Sequence, residues 1–130
     1  MFLFVSCLSR AKLTLKNYVT VDQAVAADRF MLIYHVTLPE DWKKFENEGF
    51  YEAASLATEG FIHCSYRNQL DDVLRRYYSG AERVFVLHIN AHQLTAPLVA
   101  EPSTAREIYP HIYGKINKSA VVEIEEKVIN

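Results

Sequence analysis

The stretch RVFVLHIN (83–90) is dominated by β-branched, aromatic and aliphatic side chains. A short apolar run of this composition predicts a buried strand. Further extended segments are predicted on both sides of it: MLIYHVT (31–37), GFIHCS (60–65), PLVAE (97–101) and AVVEIEEKV (120–128). The chain is therefore expected to build a sheet from many short strands.

Two helices are predicted between these strands. LPEDWKKFENEG (38–49) has Pro39 near a first helical turn and a glycine where a helix would stop. The second helix is expected to be capped by Ser65 and to end at Gly80. Its apolar residues recur at helical spacing, at Leu70, Val73, Leu74, Tyr77 and Tyr78. Residues 102–119 are predicted to form a loop. This order predicts an α+β domain with two main helices around a curved, mostly antiparallel sheet.

Length and composition favour one small domain. The 130 residues suffice for a single core, and half of them are hydrophobic. Regular patterning begins at Met31, so residues 1–30 are expected to be an extension of doubtful order and residues 31–130 the compact domain. The apolar start MFLFVSCLSRAKLTLK is too short to span a bilayer, and no membrane association is expected.

Net charge and cysteine content predict which ligands and which cellular location to expect. A net charge of −2 argues against a binder of duplex nucleic acid, which normally carries a basic face. Only two cysteines are present, Cys7 and Cys64, and their spacing matches no zinc motif. Reduced thiols and a cytoplasmic location are expected.

The adjacent His63 and Cys64 cannot act as a base and nucleophile pair if GFIHCS is a strand. Successive strand side chains point to opposite faces, so one of the two faces the core. Cysteine is often buried, and Ile62 lies on the same face as Cys64. Cys64 is therefore assigned to the core, and His63 is expected to look outward with Phe61 and Ser65.

Two other histidines are candidates for the same site. The same alternation places His35 with Ile33 and Thr37, and Tyr34 on the opposite face. His111 lies in the turn-rich stretch YPHIYG (109–114). A histidine in an apolar strand is often only a satisfied core residue. However, imidazoles beside tyrosine and serine hydroxyls are typical of small-ligand pockets, and we expect the three imidazoles to share one cavity.

Metal and phosphate-loop chemistry have little support in the sequence. No H-x-H or C-x-x-C pair is present, and no carboxylate lies within IYHVT or FIHCS, so no metal is expected. The four glycines form neither a dinucleotide fingerprint nor a P-loop.

The motifs IYHVT, EGFIHCS, VLHIN and YPHIYGKIN, in this order, resemble the family called domain of unknown function 952. The resemblance covers about residues 31–125. That family is similar in outline to the ADP-ribosyltransferases and the RNA 2′-phosphotransferases, which implies a split, curved sheet that clamps NAD.

The resemblance also implies roles for individual residues. His35 would hydrogen-bond the nicotinamide ribose or amide, with His63 and His111 as further catalytic residues. Tyr34, Ser65 and Tyr113 would contact the cofactor. The transferases carry a glutamate at the head of the last core strand, but the corresponding stretch here, NKSAVVE (117–123), has none at its head.

Three functions are consistent with these features. The first is a small domain that binds NAD or a related nucleotide or phosphoester in a cleft lined by histidine and tyrosine, with possible transferase activity. The second is a non-catalytic ligand-binding or protein-interaction module of the same fold. The third is a metal-assisted hydrolase that uses the same histidines.

Overall fold

The computed structural model describes residues 31–103 and 106–129, and the extension predicted for residues 1–30 lies outside them. Within the described residues the strands are β1 (Leu32–Thr37), β2 (Phe50–Tyr51), β3 (Ile62–His63), β4 (Arg83–Asn90), β5 (Leu98–Pro102), β6 (Ile108–Ile112), β7 (Ile116–Asn117) and β8 (Val121–Val128). The α-helices are α1 (Pro39–Lys43), α2 (Ala54–Glu59) and α3 (Leu70–Tyr77), and a 3₁₀ turn at Arg67–Gln69 precedes α3.

The strands form three small sheets, where a curved, split and mostly antiparallel sheet was predicted. Their orders are β1-β4-β8, β2-β7 and β3-β6-β5, and every pairing in the described residues is antiparallel. The main chain of Tyr34 pairs with that of Ser65, which joins β1 to the segment after β3. The α+β class with mostly antiparallel strands is confirmed, while the likeness to the ADP-ribosyltransferase fold stays a prediction.

The two faces of β1 pack into two different apolar clusters. Ile33 lies with β3, β4 and β6 residues such as Ile62 and Ile112. Tyr34 and Val36 lie with Leu70, Leu74, Val84 and Val86 under α3. The alternation predicted from MLIYHVT is therefore confirmed, and it leaves His35 on the face opposite the helix.

The helices differ from the predicted pair. Helix α2 was not predicted because six residues are too few to show a periodic apolar face. It ends at Gly60, whose φ of 92° lies in the left-handed region that glycine adopts without steric cost. Ser65 is not the cap of α3, since its main chain pairs with β1, and the helix begins only at Leu70.

Strand β6 corrects the prediction of a loop over residues 102–119. It lies between β3 and β5 and pairs with both. The sequence placed Pro110 in a turn-rich stretch, and proline cannot donate to a strand ladder. In the structure it pairs with Ala100 of β5 but falls one residue beyond the β3 ladder, where its carbonyl accepts from Cys64 N at 3.0 Å.

None of the helices in the described residues is long and apolar enough to cross a membrane.

Candidate functional site

The side chains of β1 that face away from α3 form the floor of the candidate site. His35 is 6% exposed, and its Nδ1 lies 2.7 Å from the carbonyl oxygen of His63. A carbonyl oxygen only accepts, so Nδ1 carries the proton and donates to it. The hydrogen bond fixes the tautomer of His35 and attaches β1 to β3.

The other nitrogen of His35 faces a buried pair of hydroxyls. Nε2 lies 3.2 Å from Tyr51 Oη, and Tyr51 Oη lies 2.8 Å from Thr37 Oγ1. Since Nδ1 holds the ring proton, Nε2 can only accept. The hydroxyl of Thr37 donates to the Leu38 carbonyl at 3.4 Å, so the phenol proton of Tyr51 serves either Thr37 Oγ1 or His35 Nε2. The floor therefore has room for one further hydrogen-bond donor.

Burial sets the protonation of these groups. Desolvation lowers the pKa of His35 from 6.5 to about 4, against the opposing effect of the His63 carbonyl. Desolvation likewise raises the pKa of Tyr51 to about 12. Both side chains are therefore uncharged near pH 7.

His63 and Cys64 point to opposite sides of their strand, as predicted. Cys64 is 3% exposed and packs in the cluster that contains Ile62. Burial raises the pKa of its thiol, which keeps the sulfur protonated and unreactive. His63 is exposed, and its Nε2 lies 3.2 Å from both carboxylate oxygens of Glu59, at the end of α2.

His35 and His63 line one cleft with a volume of about 760 Å³. This volume is within the range of small-molecule sites. The polar lining groups at its floor are Thr37, Tyr51 and Ser65, and the aromatic rings around it belong to Phe45, Tyr77, Tyr78 and Tyr109. The charged groups that line it are Asp41, Lys44, Glu52 and Glu59.

Tyr77 belongs to this cleft and not to the core. It was expected to pack inward with Tyr78 from the helical spacing, but it is 59% exposed. As the last residue of α3, it lies where the helix end opens onto the cleft.

His111 lies behind His63 and does not line the cleft. Its ring is stacked on Phe61, with centroids 4.1 Å apart, and meets the edge of His63 at 5.3 Å. Its Nδ1 donates to Glu101 at 2.7 Å, and its buried Nε2 has no hydrogen-bond partner in the described residues. The structure thus brings two of the three predicted imidazoles to the cleft and puts the third in contact with one of them.

The three residues predicted to bind a cofactor occupy different places. Ser65 lines the cleft. Tyr34 packs under α3 in edge contact with His88, and its hydroxyl accepts from Arg67 at 3.4 Å. Tyr113 is 39% exposed on the far side of Phe61 and donates to Glu101.

Tyr51 and Glu59 are two of the contributors to the site that sequence reasoning missed. Tyr51 carried no signal because β2 has only two residues. Glu59 lies in a helix that was not predicted. Thr37, in contrast, could be placed from strand alternation, which put it on the face of His35.

The described residues contain no group of three His, Cys, Asp or Glu side chains that could hold a metal ion. The residues that were predicted to correspond to the transferase glutamate are not among those that line the cleft. Asn117 bonds to Gln93 and Thr95, and Glu123 lies 3.8 Å from His88.

A small α+β domain with a cleft lined by histidine and tyrosine is the class of protein that this geometry defines. Residues 36–124 match the family model described as protein of unknown function DUF952, and the chain belongs to that family. The family predicted from the sequence motifs is thus confirmed. A comparison with curated proteins gave no match.

The fold is similar to that of the protein CC0527 from Caulobacter crescentus. Its crystal structure is 26% identical, with a TM-score of 0.68, and the match covers 74% of this chain and 85% of that one. The solution structure of CC0527, also 26% identical, gives a TM-score of 0.63 over 72% of this chain and 82% of that one.

Proposed function

We propose that this domain binds a small nucleotide of the NAD class in the cleft between β1, β3 and the end of α3. The observation that carries the proposal is the 2.7 Å bond from His35 Nδ1 to the His63 carbonyl, which fixes two histidines at one cleft. A buried polar floor under aromatic walls is the usual make-up of a small-ligand site.

The floor suits a ligand that donates a hydrogen bond. Thr37 Oγ1 donates to the Leu38 carbonyl and accepts the phenol proton of Tyr51. His35 Nε2 is then the acceptor left for a ribose hydroxyl or a carboxamide N–H. Tyr77, which is exposed, and Tyr78, which is partly buried, offer ring surfaces at the cleft on which a base or a nicotinamide can stack.

Transfer of ADP-ribose would be the catalytic form of this function, by the resemblance to the ADP-ribosyltransferases. It would need a carboxylate near the bond that breaks, to stabilise the positive charge that develops. Glu59, which faces His63 at 3.2 Å, is the carboxylate closest to the two cleft histidines in the contacts described above. Release of nicotinamide from NAD would distinguish transfer or hydrolysis from binding alone.

Calorimetric titration of the full chain with NAD and with ADP-ribose tests the binding claim. The variant Thr37→Val keeps the shape of the side chain and removes the hydroxyl, so it should weaken NAD binding by about three- to tenfold. His92→Ala is the matched control, because His92 is exposed and does not line the cleft. Absence of heat and of spectral change at millimolar ligand would refute the proposal.

A further inference from the structure

The charged groups of the cleft are mostly acidic. Asp41, Glu52 and Glu59 line it, against the single ammonium of Lys44. Lys44 is already paired with Asp41 at 3.1 Å. The remaining two carboxylates therefore set the sign of the charge that a ligand meets.

These two carboxylates are only partly compensated. Glu59 faces the imidazole of His63, which carries a charge only when protonated. Glu52 has a distant partner in Lys115, with Nζ and Oε1 3.9 Å apart, and Lys115 does not line the cleft. No arginine is among the cleft-lining side chains in residues 31–103 and 106–129. The cleft thus lacks the guanidinium groups that usually hold a phosphate.

The aromatic lining adds a second, independent preference for a cation. The faces of tyrosine and phenylalanine rings carry the negative end of a quadrupole and attract positive charge. Tyr77 lines the cleft and is 59% exposed, whereas Leu70 and Leu74 of the same helix are buried in the apolar cluster. Rings and carboxylates around one cavity are the chemistry that recognises an aromatic or quaternary cation.

We propose that the cleft selects a positively charged planar ring, of the N-alkylated pyridinium type, over the neutral ring of the same shape and over phosphate groups. This inference rests on the proposed function and names the part of the ligand that the cleft holds. In a ligand such as NAD, the pyridinium end enters the cleft beside Tyr77. The diphosphate lies outside, away from Glu52 and Glu59.

The test compares nicotinamide with its N1-methylated cation, a pair that differs by one methyl group and one charge. NMR titration of the full chain should show the cation binding about tenfold more tightly, the combined effect of an exposed carboxylate and an aromatic face. The preference should shrink with added salt, because exposed charges are screened.

Variants separate charge from shape. Glu59→Gln keeps an acceptor for His63 and removes the negative charge, so it should weaken binding of the cation about threefold and leave nicotinamide unchanged. Glu46→Gln is the matched control, because Glu46 is an exposed glutamate that does not line the cleft. It should change neither affinity.

The outcomes distinguish this inference from the proposed function. Equal affinity of the neutral and cationic rings, in a protein that does bind NAD, overturns the charge selection alone. Tighter binding of inorganic phosphate or ADP-ribose than of the cation also overturns it. Absence of NAD binding together with absence of binding by either ring removes both proposals.

Discussion

Acidification between pH 6.5 and pH 4 should destabilise this domain through His35. The imidazole is buried and neutral in the folded protein, with a pKa of about 4, whereas in the unfolded chain it titrates near 6.5. Below pH 6.5 the unfolded state therefore takes up a proton that the folded state does not. Stability falls as the pH drops, and the loss from this group levels off below about pH 4.

The size of the effect follows from the two pKa values. The gap between 6.5 and about 4 corresponds to about 3 kcal/mol in the free energy of unfolding, since one pKa unit corresponds to about 1.4 kcal/mol. A small domain is stable by only about 5–15 kcal/mol, so this is a large share. The cause is desolvation, because the contact of Nδ1 with the His63 carbonyl acts in the opposite direction.

Urea unfolding of the wild type and of His35→Asn at pH 7, 5.5 and 4.5 measures the effect. The asparagine amide retains a donor for the His63 carbonyl but does not titrate, so the variant should be less stable at pH 7 and lose less stability on acidification. His92→Asn replaces an exposed histidine and should follow the wild type. Parallel pH dependence in the wild type and His35→Asn would refute the assignment of this loss to His35.

Three further predictions concern packing and the buried hydroxyls. Gly114→Ala should cost about 1–3 kcal/mol in thermal melting, because its new Cβ would lie 2.7 Å from that of Ala96. Adding Ala96→Gly should restore part of the loss. Gly49→Ala, with open space around the new Cβ, should be neutral or slightly stabilising. Tyr51→Phe should cost about 1–3 kcal/mol in chemical denaturation, because it removes the buried hydroxyl that bonds to His35 Nε2 and Thr37 Oγ1. Cys64 should react with a thiol reagent only after unfolding, which mass spectrometry of the labelled peptide checks.

The strands that could be predicted are those with long uninterrupted runs of apolar and β-branched residues. RVFVLHIN (83–90) is reproduced residue for residue as β4, and β1 begins one residue later than its predicted segment. Side-chain alternation then gave the orientations of His63 and Cys64 correctly, because pleat geometry depends only on the backbone being extended. These inferences needed no knowledge of the partners of each strand.

The parts that could not be predicted depend on contacts between distant segments. Strand β6 contains Pro110, which has no N–H to donate to a ladder. The pairing of β3 with β6 stops at His63 and His111, so Pro110 lies just beyond that ladder and is tolerated there. The separation of His111 from the cleft has a similar origin. Its position across from His63 in the β3–β6 pairing brings the two rings into contact, and Phe61 stacks on His111.

The uncharged state of His35 and the acidic lining of the cleft both favour a cationic ligand in the proposed function. A protonated imidazole on the floor would repel a cationic ring, but burial keeps this histidine uncharged near neutral pH. The nearest ammonium, that of Lys44, is engaged by Asp41. A ligand that enters beside Tyr77 therefore meets the carboxylates that line the cleft and the uncharged acceptor His35 Nε2. That combination favours a ring that bears a positive charge and also donates a hydrogen bond, and a carboxamide-substituted pyridinium satisfies both conditions.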